Sequence, residues 1–387
     1  MHISQRVQQI SPFYVMDILA SAKKLEEQGH DVIHLEVGEP DFATPTAVAE
    51  AAKRAIEQGN TFYTPATGLP ALRHSIARYY QDKFAVTVSP DRVVVTPGAS
   101  GALQLVLSSV VDPGQTVLMA DPGYPCNRHF VQLLQGIAKQ VKVDATSAYQ
   151  LSHQIIEDNW DDDTCAVLLA SPSNPTGTLI GREEMQKIIQ LVESKHAVLI
   201  VDEIYQGLVY DQAEYTAAEL SQNVFIINSF SKYFSMTGWR LGWLLAPERF
   251  IESIDRLAQN LFLAAPTISQ YAALAAFHST TLSVFDLQRD ELKARRDFLY
   301  AGLLELGFII RVKPGGAFYI YADVSPFTSD SFTFCRQLLE ESFVAITPGL
   351  DFGVNQAEKY VRFAYTQPVE KLELALQRIR NFLLSCG

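Results

Sequence analysis

Arg92-Val93-Val94-Val95-Thr96-Pro97-Gly98-Ala99-Ser100-Gly101 is the stretch on which the fold turns. A β-branched run stops at a Pro-Gly turn and passes at once into a helical stretch over 102–111, as a strand feeding a helix should. Comparable apolar runs recur at 116–119, 166–169, 198–201, 224–228 and 241–245. Their near-continuous apolar character suits strands covered on both faces, as in a mostly parallel sheet. Strands alternating with helical stretches predict an α/β fold.

The pattern changes near residue 280. A long amphipathic helix is expected over 282–306, followed by short strands at 308–311, 316–321, 344–346 and 360–363. At the other end a helix over 12–28, a strand at 32–35 and an alanine-rich helix over 45–59 are expected. The expected organisation is a large domain over 45–280, built on a mostly parallel mixed sheet sandwiched by helices. A smaller α+β domain is expected from 1–44 together with 281–387. A chain of 387 residues exceeds the length at which one core keeps growing, which agrees with two domains.

With 48% hydrophobic and 19% charged residues the chain reads as ordinary globular protein. Its net charge of −12 disfavours nucleic-acid phosphate and anionic membrane surfaces as partners. An anionic substrate therefore needs local basic groups. The start, Met1-His2-Ile3-Ser4-Gln5-Arg6, lacks the basic and apolar regions of a signal peptide. The apolar stretch 261–277 is interrupted by Pro266, Ser269 and Gln270 and is too short to span a bilayer. Cys126, Cys165, Cys335 and Cys386 lie far apart, without metal spacing. No metal site is expected, and a reducing cytoplasmic location is the simplest expectation.

Ser229-Phe230-Ser231-Lys232 carries the chemistry, with Met236-Thr237-Gly238-Trp239-Arg240 just beyond. A lysine amine condenses with an aldehyde, while serines and a guanidinium suit a phosphate. Together they match what pyridoxal 5′-phosphate needs from a protein; a surface lysine in a loop is the plainer alternative. In an open α/β sheet, ligands gather beyond the carboxyl ends of strands, where other candidates fall. The Gly98-Ala99-Ser100-Gly101 turn could hold a phosphate on backbone N–H groups or could simply be a turn. In Ser171-Pro172-Ser173-Asn174-Pro175-Thr176-Gly177, Asn174 stands between two X-Pro constraints and is held to hydrogen-bond a fixed ligand.

Asp202, in Val201-Asp202-Glu203-Ile204-Tyr205, is a carboxylate that needs a positive partner, and a protonated pyridine nitrogen would supply one. Asp202 and Glu203 could suggest a glycosidase pair, but neighbouring strand residues face opposite ways. Tyr205 could donate to a phenolate-like oxygen, and Tyr124 could stack on a planar ring. Arg362, inside an apolar strand, needs an anion: a substrate carboxylate or an internal ion-pair partner.

Taken with Val37-Gly38-Glu39-Pro40-Asp41 and Tyr63-Thr64-Pro65-Ala66-Thr67-Gly68, these motifs closely resemble the class I/II aminotransferases, fold-type I pyridoxal phosphate enzymes related to aspartate aminotransferase. The resemblance implies that Lys232 forms the Schiff base and moves the substrate's Cα proton. It implies that Asp202 partners the pyridine nitrogen, and that Asn174 and Tyr205 hydrogen-bond the ring oxygen. Tyr124 would stack on the ring. Ala99, Ser100, Ser229 and Arg240 would form the phosphate cup, and Tyr63 would reach the neighbouring subunit's phosphate. Arg362 would clamp the α-carboxylate with backbone help from Gly38. A homodimer with shared sites, a cis Asn174–Pro175 bond, and exchange between an L-amino acid and a 2-oxo acid follow from the same resemblance.

One departure concerns the substrate. Some bacterial aspartate aminotransferases of this subgroup carry a lysine for the distal carboxylate where Ser100 stands. Arg128 or Asn127 could replace it, or Arg128 could be a solvated helix residue. A C–S β-lyase on the same fold would use the same Lys232, Asp202 and Arg362. A non-catalytic regulatory domain is the third alternative, disfavoured because no basic helix-turn-helix precedes the pattern.

Overall fold

The computed structural model describes residues 2–8 and 10–386. After the helix Tyr14–Glu27 and a short strand β1 (Ile33–His34) come the helices Thr46–Glu57 and Pro70–Phe84. The next seven strands are β2 (Val93–Thr96), β3 (Thr116–Asp121), β4 (Ile137–Lys142), β5 (Thr164–Ala170), β6 (Val198–Asp202), β7 (Phe225–Ser229) and β8 (Gly242–Leu245). They form one sheet in the order β2-β8-β7-β6-β5-β3-β4. Every neighbouring pair is parallel except those made by β8, which runs antiparallel to both β2 and β7. A mostly parallel, mixed sheet is therefore present, as the apolar runs predicted. Trp243 on β8 is fully buried and meets Phe230 and Phe234 edge-on.

Strand β4 was not expected. Its sequence, IAKQVK, lies at the sheet edge and is largely half-exposed, so it lacks the two-faced apolar signature of the inner strands. The helix expected over 102–111 begins earlier, at Gly98, and runs to Val110. The Gly98–Gly101 turn is thus the first turn of a helix. Gly242 makes that close packing possible. A Cβ there would lie 2.8 Å from the Asn228 carbonyl oxygen and 2.8 Å from the Gly98 carbonyl carbon.

The remaining strands form two small sheets. β1 pairs in parallel with β10 (Val344–Ala345), and β12 (Tyr360–Ala364) lies antiparallel between β9 (Tyr319–Asp323) and β11 (Thr347–Pro348). The N-terminal segment therefore joins the C-terminal part through a strand pairing. The long helix Ser279–Glu305 leads into this region, and Val369–Cys386 ends it. The strand expected at 308–311 is reduced to one bridge, Ile309 to Asp323. Pro314, Gly315 and Gly316 follow closely, and a proline has no N–H with which to extend a ladder. Among the described residues no helix is long and apolar enough to cross a membrane.

Because the Gly242 contacts are to backbone, they can be relieved only by moving the helix off the sheet. Gly242→Ala is expected to lower the unfolding free energy by about 1–3 kcal/mol, read as a shifted urea midpoint at unchanged slope.

Candidate active site

A cavity of about 250 Å3 opens beyond the carboxyl ends of the central strands. It is lined by Gly38, Ala99, Ser100, Tyr124, Asn174, Asp202, Tyr205, Ser229, Lys232, Arg240 and Arg362, all singled out from the sequence. Asp202 and Ser229 are the last residues of β6 and β7, so parallel strands deliver both to one rim. Tyr63 does not join them. It sits in the segment between the helices Thr46–Glu57 and Pro70–Phe84, and both it and Phe62 are 82% exposed.

Lys232 donates from Nζ to the Gly38 carbonyl at 2.7 Å. Burial pushes its ammonium down to about 8, opposed by the attraction of Glu39 and reinforced by repulsion from Arg362 and Arg240. Asp202 is shifted the other way, up to about 6, because burial outweighs its one hydrogen bond from the Ile204 N–H and the attraction of Lys232. It makes no ion pair with lysine or arginine among the described residues. Glu203 faces elsewhere, accepting from the Ala217 N–H at 2.7 Å and the Thr216 hydroxyl at 2.8 Å. The two carboxyls cannot flank one bond, which removes the glycosidase alternative.

The helix Gly98–Val110 starts at the cavity with no side-chain cap and no acidic residue in its first turn. Its leading N–H groups and dipole are open to an anion. Arg240 lies beside that start; a Cβ at Gly98 would be 2.7 Å from its Nη2. Glycine there leaves room for the guanidinium, and its φ of +70° is one that L side chains rarely adopt. Nearby, the Ser229 hydroxyl accepts from the Ser231 N–H at 3.0 Å.

Arg362, only 4% exposed, sits on the middle strand of the three-stranded sheet. One Nη donates to Asn174 Oδ1 at 2.9 Å; the other meets the Glu36 carbonyl and the Thr347 hydroxyl. Its Cζ lies 4.2 Å from the Tyr319 ring centroid, and its Nε is buried without a partner. All three acceptors are neutral, and among the described residues the guanidinium makes no direct ion pair, though the buried Asp351 carboxyl lies within its electrostatic reach. The Asn174–Pro175 bond is cis, as expected. Tyr205 and Tyr319 hydroxyls meet at 3.0 Å.

Sequence reasoning missed Tyr319, Thr347 and the carbonyl of Glu36. The aromatic run Phe318-Tyr319-Ile320-Tyr321 carried some signal for the first; a main-chain acceptor carries none. Also missed were Phe13, Val15 and Met16, which reach the cavity from the start of the helix Tyr14–Glu27. Arg128, weighed as a solvated helix residue, is partly buried instead. Its guanidinium faces the Asp351 main-chain oxygen at 3.4 and 3.5 Å.

A family model described as aminotransferase class I and II matches residues 30–379, and the chain belongs to that family. It is 39% identical to the (5-formylfuran-3-yl)methyl phosphate transaminase of Methanocaldococcus jannaschii, covering 98% of this chain and 99% of the relative. It is also 39% identical to the valine–pyruvate aminotransferase of Mycobacterium tuberculosis, over 97% of each. A crystal structure of an aminotransferase from Mycobacterium tuberculosis superposes with a TM-score of 0.96 at 38% identity, covering 100% of both chains. The aspartate aminotransferase of Thermus thermophilus, solved with maleate, gives 0.93 at 32% identity, covering 98% of this chain and 99% of that one. The fold is thus that of the fold-type I aminotransferases.

Two outcomes follow from these titrations. In the protein without added cofactor, competitive labelling of Lys232 by acetic anhydride should show a midpoint near pH 8. That leaves roughly 300-fold more neutral amine at pH 7 than an ordinary lysine holds; a midpoint above 10 contradicts it. His34, hydrogen-bonded to buried Glu36 at 2.7 Å, is raised to about 9. A raised histidine stabilises fully below its unfolded value and loses that contribution as pH climbs through the folded one. His34→Gln should therefore cost about 1–2 kcal/mol at pH 6 and nearly nothing at pH 10, read by urea unfolding.

Proposed function

We propose that this class I and II aminotransferase moves an amino group from an L-amino acid to a 2-oxo acid, using pyridoxal 5′-phosphate held in the cavity just described. One observation carries this reading: Lys232, Asp202 and Arg362 line the same 250 Å3 cavity. An amine of lowered proton affinity, a buried carboxyl without an ion-pair partner and a guanidinium with one unpartnered nitrogen meet there.

The residues fit the cofactor. Asp202 lacks the cation that a buried carboxylate requires, and a protonated ring nitrogen answers that lack. The uncapped helix start, with Ala99, Ser100, Ser229 and Arg240 around it, suits a phosphate dianion. Tyr124 would cover a ring face, and Asn174 with Tyr205 would hydrogen-bond the ring oxygen. When bound, the cofactor supplies an aldehyde for the amino group and an electron-withdrawing ring.

The chain's own residues then divide the work. Arg362, with the Gly38 backbone and Asn174, holds the substrate α-carboxylate and so presents the Cα–H to one side. Lys232, whose amine burial inclines toward the neutral form, would take that proton at Nζ and return it on the other side of the transfer. Asp202 would hold the ring nitrogen in its protonated form, the charge that would let the cofactor acidify the Cα proton.

Tyr63, exposed beside Phe62, supports a homodimer in which it reaches the partner subunit's phosphate. We assign residues 45–280 to the large domain and 1–44 with 281–387 to the small one, as the sheet pairings favour, and propose a cytoplasmic location. A C–S β-lyase would draw on the same residues, but the relatives matched over nearly the whole chain are named transaminases.

The test is a single half-reaction. Holoenzyme mixed with amino acids and no acceptor should release one equivalent of 2-oxo acid per subunit, then stop, with no ammonia. Adding a 2-oxo acid should restart it. Continuous pyruvate and ammonia without an acceptor would sink the proposal. Lys232→Ala should slow the half-reaction by roughly 10²–10⁴-fold.

A further inference from the structure

We infer that Tyr319 is a positioning residue with two roles: its ring orients the carboxylate clamp, and its hydroxyl supports that of Tyr205. The inference rests on the transaminase reading above, which gives Arg362 the substrate α-carboxylate and Tyr205 the cofactor's ring oxygen.

Strand register brings Tyr319 to its place. In the antiparallel pair of β9 and β12, Tyr321 stands opposite Arg362. Tyr319, two residues along β9, therefore shares that face and is a diagonal neighbour of the arginine. Its ring meets the guanidinium, with Cζ 4.2 Å from the ring centroid. A cation over a tyrosine face is drawn to the ring quadrupole, most strongly where water is excluded. Within this one chain Tyr319 is 1% exposed, and Tyr205 and Arg362 are 4% each. The arrangement is therefore complete in a single subunit.

The hydroxyl end reaches the large sheet. Tyr205 follows the end of β6, and its hydroxyl lies 3.0 Å from that of Tyr319. Glycine at position 38 leaves the room for this, since a Cβ there would overlap the Tyr319 hydroxyl. Burial raises both phenols, while the Arg362 charge opposes the rise. Both therefore keep their protons near neutral pH, and Tyr124 and Lys232 also face the pair. When Tyr205 gives its proton to a ring oxygen, Tyr319 is the neighbour that donates to Tyr205. Each donor in such a chain polarises the next bond.

Two variants of the holoenzyme separate ring from hydroxyl. Tyr319→Phe keeps the ring and removes the hydroxyl; Tyr319→Leu removes both. A donor on the ring oxygen draws electron density from it, which lowers the pH midpoint of the bound cofactor's visible absorbance band. Tyr319→Phe should raise that midpoint by about half a unit. Its binding of 4-methylpentanoate, read by calorimetry, should stay within about 2-fold of the unaltered protein. Tyr319→Leu should raise the midpoint similarly and weaken 4-methylpentanoate about 10-fold. In a Tyr205→Phe background, adding Tyr319→Phe should leave the midpoint unmoved, an outcome that general loosening of the site would not give. No shift in Tyr319→Phe, or a shift that persists without the Tyr205 hydroxyl, overturns the hydroxyl role. Unchanged binding in Tyr319→Leu, or equal weakening in Tyr319→Phe, overturns the ring role. If Lys232→Ala leaves the band unaltered, the transaminase reading fails and the hydroxyl role falls with it, while calorimetry still decides the ring role.

Discussion

Arg362 is the group on which the rest of the molecule converges. Its guanidinium is almost wholly buried, yet its protein acceptors are the Glu36 carbonyl, the Asn174 amide oxygen and the Thr347 hydroxyl. These belong to the N-terminal segment, the loop after β5 and β11, so one side chain ties three separate parts of the chain together. Neutral acceptors satisfy direction but not charge, and a buried cation with no direct ion pair is expensive. That unmet requirement gives the cavity its appetite for a carboxylate.

The other ionisable groups extend the same logic. Burial shifts Lys232 and Asp202 in opposite senses, each toward its neutral form, because water is scarce around both. A site so arranged stores electrostatic need instead of satisfying it internally. Its dipolar contribution comes from the helix Gly98–Val110, whose start opens on the cavity with no capping side chain. Gly98 and Gly242 are the steric conditions for that arrangement: one admits Arg240, the other lets the helix rest on β8.

Much of this was legible along the chain. The inner strands β3, β5, β6, β7 and β8, together with the fully buried edge strand β2, announced themselves because burial on both faces demands unbroken apolar runs. Lys232, Asp202 and Asn174 stood out because their neighbours are local in sequence: serines, a strand end, flanking prolines. Edge strand β4 did not, since half-exposure dilutes the signal. Tyr319, Thr347 and Asp351 were invisible for a different reason. Each acts on a residue distant in sequence, such as Arg362 or Tyr14, and no spacing rule reports such a pairing.

The sequence by itself determined the kind of chemistry available, since residue type and local punctuation decide which groups can carry charge, bend a turn or end a strand. It also determined the α/β class, because periodicity and burial are linked residue by residue. Only the tertiary structure decided which charges would lack partners, which helix start would open on the cavity and which apolar wall would face the reacting groups. Those are properties of packing between distant segments: a carboxylate is ordinary until burial removes its water, and a helix end is ordinary until nothing covers it.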